Sequence, residues 1–117
     1  MYYKNMEIWK KSIDLVEEVY SITKYLPKEE KYAITDQMRR AAISIPSNFA
    51  EGQGRNTTKD YLQFLSIARG SVYELDTQLE ICLRLKYLTK EQIHNTCTLC
   101  NEINRMINSI ITKLRNK

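Results

Sequence analysis

The spacing of apolar residues is the feature that most constrains the fold of this chain. In four separate segments, apolar side chains recur at alternating intervals of three and four positions. Residues at these intervals share one face of an α-helix, so the pattern indicates helices. Only three glycines and two prolines occur among the 117 residues, whereas an all-β fold needs many turns. The sequence therefore predicts few, long helices.

The four segments define four predicted helices. The first is expected over about 6–26 and the second from about 28 to 52, because Pro27 ends one helix and Gly52 with Gly54 ends the next. Capping-box sequences that start at Thr57 and Thr89 open the third, to about residue 87, and the fourth, to about residue 115. The connections are short, so residues 1–117 are predicted to form a single domain, an antiparallel up-down four-helix bundle.

Each predicted helix has a stripe that is expected to face the core. The stripes are Trp9, Ile13, Val16, Tyr20 and Thr23; Ile34, Met38, Ala41 or Ala42, Ile45 and Phe49; Tyr61, Leu65, Ala68, Val72, Leu75, Leu79 and Cys82; and Ile93, Cys97, Cys100, Ile103, Ile107, Ile110 and Leu114.

Pro46 lies inside the second predicted helix. Proline removes the hydrogen bond to the carbonyl four residues earlier, here that of Ala42, and bends a helix. Alternatively, Ser44 could cap a helix that restarts at this point. Because Ile45 and Phe49 keep the apolar stripe in phase, the sequence favours one helix that is kinked at Pro46.

The third predicted helix carries a second stripe, roughly opposite its core stripe. This stripe consists of Ile67, Gly70, Ile81 and Leu85, with Glu74 between them. Apolar surface left over after a core has formed usually marks a protein interface, so we predict a homo-oligomer closed by rotational symmetry. The first helix is also apolar over a wide arc. Its flanking residues are Ile8, Leu15, Val19, Ile22 and Leu26.

A row of polar residues follows the second predicted helix at intervals of three and four. The row is Gln37, Arg40, Ser44, Asn48 and Glu51, with Arg69 and Glu74 on the third helix as candidate partners. One interpretation is a hydrogen-bonded network that fixes the register of the helices. The other is a polar pocket or an RNA-facing surface. The balanced charges favour the structural interpretation.

The candidate chemical motifs are better explained by packing. His94, Cys97 and Cys100 are ligand types for zinc, but a structural zinc site needs a fourth ligand, and both cysteines fall on the core stripe. No predicted strand precedes Gly52-Gln53-Gly54-Arg55, so the end of one helix and the start of another explain it better than a phosphate loop. We therefore predict a protein that is not an enzyme and has no metal and no cofactor.

The charge balance permits contact with nucleic acid without requiring it. The chain has 18 basic and 14 acidic residues, which gives a formal net charge of +4. The candidate phosphate contacts are Arg39, Arg55, Lys59, Lys113, Arg115 and Lys117. Favourable placement at a helix C-terminus also explains the basic residues near the end of the chain. We predict a cytoplasmic protein without membrane contact. The odd number of cysteines argues against a disulfide framework, and the sequence shows neither a signal-like segment nor an apolar run of membrane-spanning length.

The segment QMRRAAISIPSNFAEG, residues 37–52, resembles the signature of four-helix-bundle proteins encoded in intervening sequences of bacterial 23S ribosomal RNA genes. Residues 64–71 and 73–79 also fit, and the resemblance spans nearly the whole chain. The chain is also similar to the accessory variability proteins of diversity-generating retroelements, which assemble as pentameric barrels. The resemblance implies a homo-oligomer, a pentamer, that binds RNA or DNA. The alternative it implies is a scaffold for a protein partner, such as a reverse transcriptase, without direct nucleic-acid binding.

Overall fold

Four α-helices make up most of the chain in the computed structural model, which describes residues 2–116. The helices are α1 (Glu7–Thr23), α2 (Ile34–Gln53), α3 (Thr58–Arg84) and α4 (Lys90–Arg115). Short 3₁₀ turns, Tyr3–Asn5 and Lys28–Glu30, precede α1 and α2. Each helix packs on the next along the chain, and α4 packs on α1. The predicted all-α four-helix bundle is confirmed.

Contacts between side chains fix the directions of the helices. Near the end of α1, Thr23 accepts a hydrogen bond from Arg39, which lies in the first part of α2. Near the end of α2, Gln53 donates to the Tyr61 hydroxyl at the start of α3. Neighbouring helices are therefore antiparallel. One end of the bundle is formed by the start of α1, the α2–α3 connection and the end of α4.

The helix caps explain two of the helix starts. The Thr57 side chain accepts a hydrogen bond from the backbone N–H of Asp60, which begins α3. Thr89 and Gln92 form a reciprocal capping box at the start of α4, as predicted. The third helix ends at Arg84, earlier than predicted, and Lys86 soon after it adopts a left-handed φ of 62°.

The second helix begins later than the sequence predicts. Residues 28–30 form a 3₁₀ turn, and regular α-helix starts only at Ile34. The helix then continues through Pro46, whose side chain is buried, so the chain does not restart at Ser44. The bend at Pro46 stays a prediction.

The predicted core stripes of α2 and α3 are buried except at Ile34 and Tyr61, the first residue of each, which are half-buried. Of the predicted α4 stripe, Ile93, Cys100, Ile103 and Ile107 are buried. Cys97, Ile110 and Leu114 are half-buried, while Ile111 is buried in addition. Near the end of α4, the buried face is therefore rotated slightly from the face that the sequence predicts.

The face of α1 that enters the core differs from the prediction. Most of the buried side chains belong to the flanking stripe that begins at Ile8. Of the predicted stripe only Thr23 is buried, whereas Trp9, Ile13 and Val16 are half-buried and Tyr20 is exposed. Ser12 interrupts the buried stripe, but its hydroxyl donates to the Ile8 carbonyl at 2.7 Å. A buried hydroxyl that is hydrogen-bonded in this way costs little, so a polar residue is tolerated there.

No helix within residues 2–116 is both long enough and apolar enough to span a membrane.

Candidate oligomer and nucleic-acid interfaces

The outer α3 stripe, defined as Ile67, Gly70, Ile81 and Leu85, lies on the surface of the bundle. The side chains of Ile67, Ile81 and Leu85 are 45%, 41% and 55% exposed. Together with Ile43 of α2, they are the large aliphatic residues that the described chain leaves exposed. The stripe that the sequence predicts to be an interface is therefore about half exposed in the single chain.

Gly70 sits in the middle of α3, where glycine is an unfavourable residue. A glycine inside a helix costs about 1 kcal/mol relative to alanine. A Cβ added to Gly70 would meet no atom within 4 Å. Nothing inside the bundle therefore requires a glycine at this position.

The polar row on α2 forms its inter-helix contact at Ser44. The Oγ atoms of Ser44 and Ser71 are 2.8 Å apart, which joins α2 to α3. Asn48 donates through Nδ2 to the Ser44 carbonyl at 2.8 Å and to Ser44 Oγ at 2.9 Å. This arrangement holds the two helices in register. Asn48 donates to Ser44 and not to the carbonyl of Ala42, which has lost its helical hydrogen bond because Pro46 has no N–H.

The remaining members of the predicted network make separate contacts. Arg40 pairs with Asp36, Arg55 with Glu51, and Gln78 donates to Glu74. Arg69 donates to Asn108 of α4 at 2.9 Å, so it contacts α4 and not α2. Gln37 is exposed. The structure therefore has several local contacts where the sequence predicted one network.

Most of the candidate phosphate contacts share one end of the bundle. Arg55 and Lys59 belong to the α2–α3 connection and the first turn of α3, and Lys113 and Arg115 belong to the last turn of α4. We call these four residues the basic end. Lys117, the remaining candidate near the end of the chain, lies outside the described residues.

The side chains of the basic end differ in whether they already contact other groups of the chain. Arg55 pairs with Glu51 at 3.3 Å, and its guanidinium lies 4.5 Å from the centre of the Phe64 ring. Lys59, Lys113 and Arg115 are exposed and form no ion pair within residues 2–116. These three cations can reach an external anion without breaking a contact seen here.

Arg39 lies away from the basic end and is packed against α1. Its guanidinium is 4.4 Å from the centre of the Tyr20 ring, and its Nε donates to Thr23 Oγ1 at 3.0 Å. This geometry gives Arg39 a role in holding α2 against α1. The structure does not bring it together with the other candidate phosphate contacts.

An apolar groove between α1 and α2 was missed by the sequence analysis. We call it the α1–α2 groove; it has a volume of about 290 Å³. Its lining residues are Tyr3, Trp9, Ile13, Val16, Ile43, Pro46, Ser47 and Ala50. The sequence feature that could have revealed this groove is the wide apolar arc of α1. The stripe that begins at Trp9 was instead predicted to face the core.

The cysteines behave as packing residues. Burial raises the pKa of the Cys100 thiol to about 12 and that of Cys82 to about 11, and burial also raises the pKa of Cys97. Thiols of this kind stay protonated near neutral pH and are weak nucleophiles and metal ligands. Among residues 2–116, no group of three or more His, Cys, Asp or Glu side chains is placed to hold a metal ion.

The sequence model of the 23S rRNA-intervening sequence protein family matches residues 4–109. The chain belongs to this family. The resemblance carried by residues 37–52 is thereby confirmed.

Structural comparison agrees with membership of the 23S rRNA-intervening sequence protein family. A crystal structure of a protein with unknown function from the S23 ribosomal protein family of Bacteroides thetaiotaomicron is similar, with a TM-score of 0.82 and 28% sequence identity. The match covers 89% of this chain and 97% of that one. A search of curated proteins found no match. The comparisons therefore establish the family and the fold.

Proposed function

We propose that this chain is a non-enzymatic helical bundle that assembles with copies of itself and binds structured RNA. The outer α3 stripe takes part in self-association, and the basic end contacts phosphates. The resemblance of residues 37–52 implies that the oligomer is a pentamer. The observation that carries the RNA part of this proposal is the gathering of Arg55, Lys59, Lys113 and Arg115 at one end of the bundle.

Self-association is supported by the character of the outer α3 stripe. Its three large aliphatic side chains are about half exposed, and it contains a helix-interior glycine with open space around it. Small residues let two helix backbones approach each other closely, which would explain a glycine that the single bundle does not need. Burying the aliphatic side chains would add the usual hydrophobic contribution.

RNA binding is supported by charge and by repetition. The acidic residues near the basic end are Glu7, Glu51 and Asp60, and Glu51 is already paired with Arg55. A single copy therefore offers a modest excess of positive charge. An oligomer would repeat the basic end in every copy, and contacts linked in this way bind far more tightly than one contact alone.

The experiment is a titration of labelled structured RNA at several salt concentrations. Phosphate contacts predict that affinity falls steeply with salt, with a slope that counts the contacts. The triple variant Lys59→Ala, Lys113→Ala, Arg115→Ala should weaken binding and reduce the slope by roughly one for each contact removed. The matched control removes three lysines at the opposite end, Lys24, Lys28 and Lys90, and should leave the slope nearly unchanged.

The second candidate function is a protein-interaction scaffold that does not bind RNA. It is favoured by two of the candidate phosphate contacts, since Arg39 and Arg55 both pack against aromatic rings of their own chain. Undetectable RNA binding at low salt, by a protein that still self-associates, would support the scaffold and contradict the RNA proposal.

A further inference from the structure

Two apolar surfaces of the bundle have no partner in the single chain. The outer α3 stripe is one, and the α1–α2 groove is the other. The stripe belongs to α3, whereas the groove opens between α1 and α2, so they face different directions. Self-association through one of these surfaces alone would leave the other exposed.

The exposed area of the chain is larger than expected for its mass. It amounts to 7292 Å². A 13.8 kDa monomer is expected to expose about 6,600 Å². The difference accompanies an elongated shape of 46 × 23 × 21 Å, whose long sides carry the stripe and the groove.

The two surfaces are complementary in form. The groove is a concave site lined by Trp9, Ile43 and other apolar side chains, whereas the stripe projects aliphatic side chains from one helix. Glu74 is the charged residue within the stripe, and the exposed Lys10 follows Trp9 beside the groove. The exposed Glu17 also lies beside the groove, so a stripe docked there meets charges of both signs, whereas a contact between two stripes brings a Glu74 carboxylate from each copy to the same interface.

We propose that the outer α3 stripe of one copy docks into the α1–α2 groove of the next copy. The inference rests on the self-association proposed above and names the surface that the stripe meets. Because the two surfaces differ, the contact is head-to-tail, and an open assembly keeps one free stripe at one end and one free groove at the other until it closes into a ring. Pairing the stripe with itself would leave the groove uncovered in every copy.

The test uses two variants that each disable one surface. The stripe variant is Ile67→Asp, Ile81→Asp, and the groove variant is Ile43→Asp, Ser47→Glu. All four residues are exposed, so the fold should survive, and circular dichroism checks this. We expect each variant alone to be monomeric in light scattering after gel filtration. An equimolar mixture should form a one-to-one heterodimer, because the intact groove of one variant accepts the intact stripe of the other.

The control variant, Ser66→Asp, Tyr73→Asp, adds the same charge to α3 outside the stripe and should assemble as the unmodified chain does. A groove variant that still assembles like the unmodified chain overturns the inference and leaves the proposed self-association standing. A mixture that stays monomeric at concentrations where the unmodified chain assembles also overturns it. An unmodified chain that is itself a 13.8 kDa monomer removes the proposed self-association and this inference together.

Discussion

Gly52 of α2 lies directly against Tyr61 of α3. A Cβ added to Gly52 would be 2.9 Å from Cδ1 of the Tyr61 ring and 3.0 Å from Cβ of Phe64. The glycine is therefore required by the close packing of two helices, and this explains the glycine better than a phosphate-binding loop does.

We expect Gly52→Ala to destabilise the bundle. Overpacking at a tight contact costs about 1–3 kcal/mol, which outweighs the gain of up to about 1 kcal/mol from better helix propensity. Urea unfolding measures the difference. Gly54→Ala is the matched control, because its Cβ would meet the nearest atom at an ordinary 3.5 Å and stability should change little or rise. Equal losses in the two variants would contradict the packing explanation.

Gly70→Ala should have opposite effects on folding and on assembly. The added methyl group meets no atom of its own chain, so the monomer should gain up to about 1 kcal/mol in its free energy of unfolding. If the outer α3 stripe is an interface, the same methyl group obstructs the close approach of a second copy. Unfolding at low protein concentration and sedimentation over a concentration series separate the two effects. Assembly that is unchanged or stronger in the variant would argue against close contact at Gly70.

Arg39→Ala should lower stability more than Arg40→Ala does. Arg39 contacts the Tyr20 ring and donates to the buried Thr23, whereas the Arg40 side chain is 78% exposed in its pair with Asp36. We expect a loss of about 1–2 kcal/mol for Arg39 and under about 1 kcal/mol for Arg40. Arg39→Ala should leave the salt dependence of RNA binding unchanged. A smaller slope of affinity against salt concentration would show that Arg39 contacts phosphate.

Stability should fall as the pH rises above about 9. In the unfolded chain the thiols ionise near their usual pKa of about 8.5, whereas burial holds the folded pKa of Cys100 near 12 and that of Cys82 near 11. Over this interval the folded state keeps protons that the unfolded state loses, so each thiol lowers the free energy of unfolding by about 1.4 kcal/mol per pH unit. Cys100→Ala should flatten this slope between about pH 9 and 10.5 relative to the unmodified chain, even though the cavity lowers its stability at neutral pH. An identical slope in both proteins would show that the thiol does not contribute.

The sequence predicted the helices well but could not decide which face of α1 is buried. In α3, polar residues separate the core stripe from the outer stripe, so periodicity alone distinguishes them. In α1, the stripe that begins at Ile8 and the one that begins at Trp9 are neighbours, and Ser12 makes the truly buried stripe look less apolar. The Ser12 hydroxyl is satisfied by the Ile8 carbonyl, which spacing does not reveal. The α1–α2 groove was missed for the same reason.

Hydrogen-bond partners on other helices were the second feature that the sequence could not predict. The spacing of Ser44 and Asn48 correctly placed them on one face of α2, but their partner, Ser71, depends on how closely two helices approach. Arg69 was expected to face α2, and the structure pairs it with Asn108 because the rotation of α3 about its own axis is set by the whole core. Intervals within one helix carry no information about that rotation.

The connectivity of the bundle has a consequence for how the chain folds. Three of its four principal helix pairs are hairpins of consecutive helices, and the packing of α1 on α4, with the Lys11–Glu102 ion pair at 2.6 Å, joins the two helices that are farthest apart along the chain. Topologies rich in local contacts fold quickly, on a scale of microseconds to milliseconds, because little loop entropy is lost before contacts form. The three hairpins can therefore form as the chain lengthens during synthesis, and the docking of α4 on α1 is the one step that waits for nearly the whole sequence.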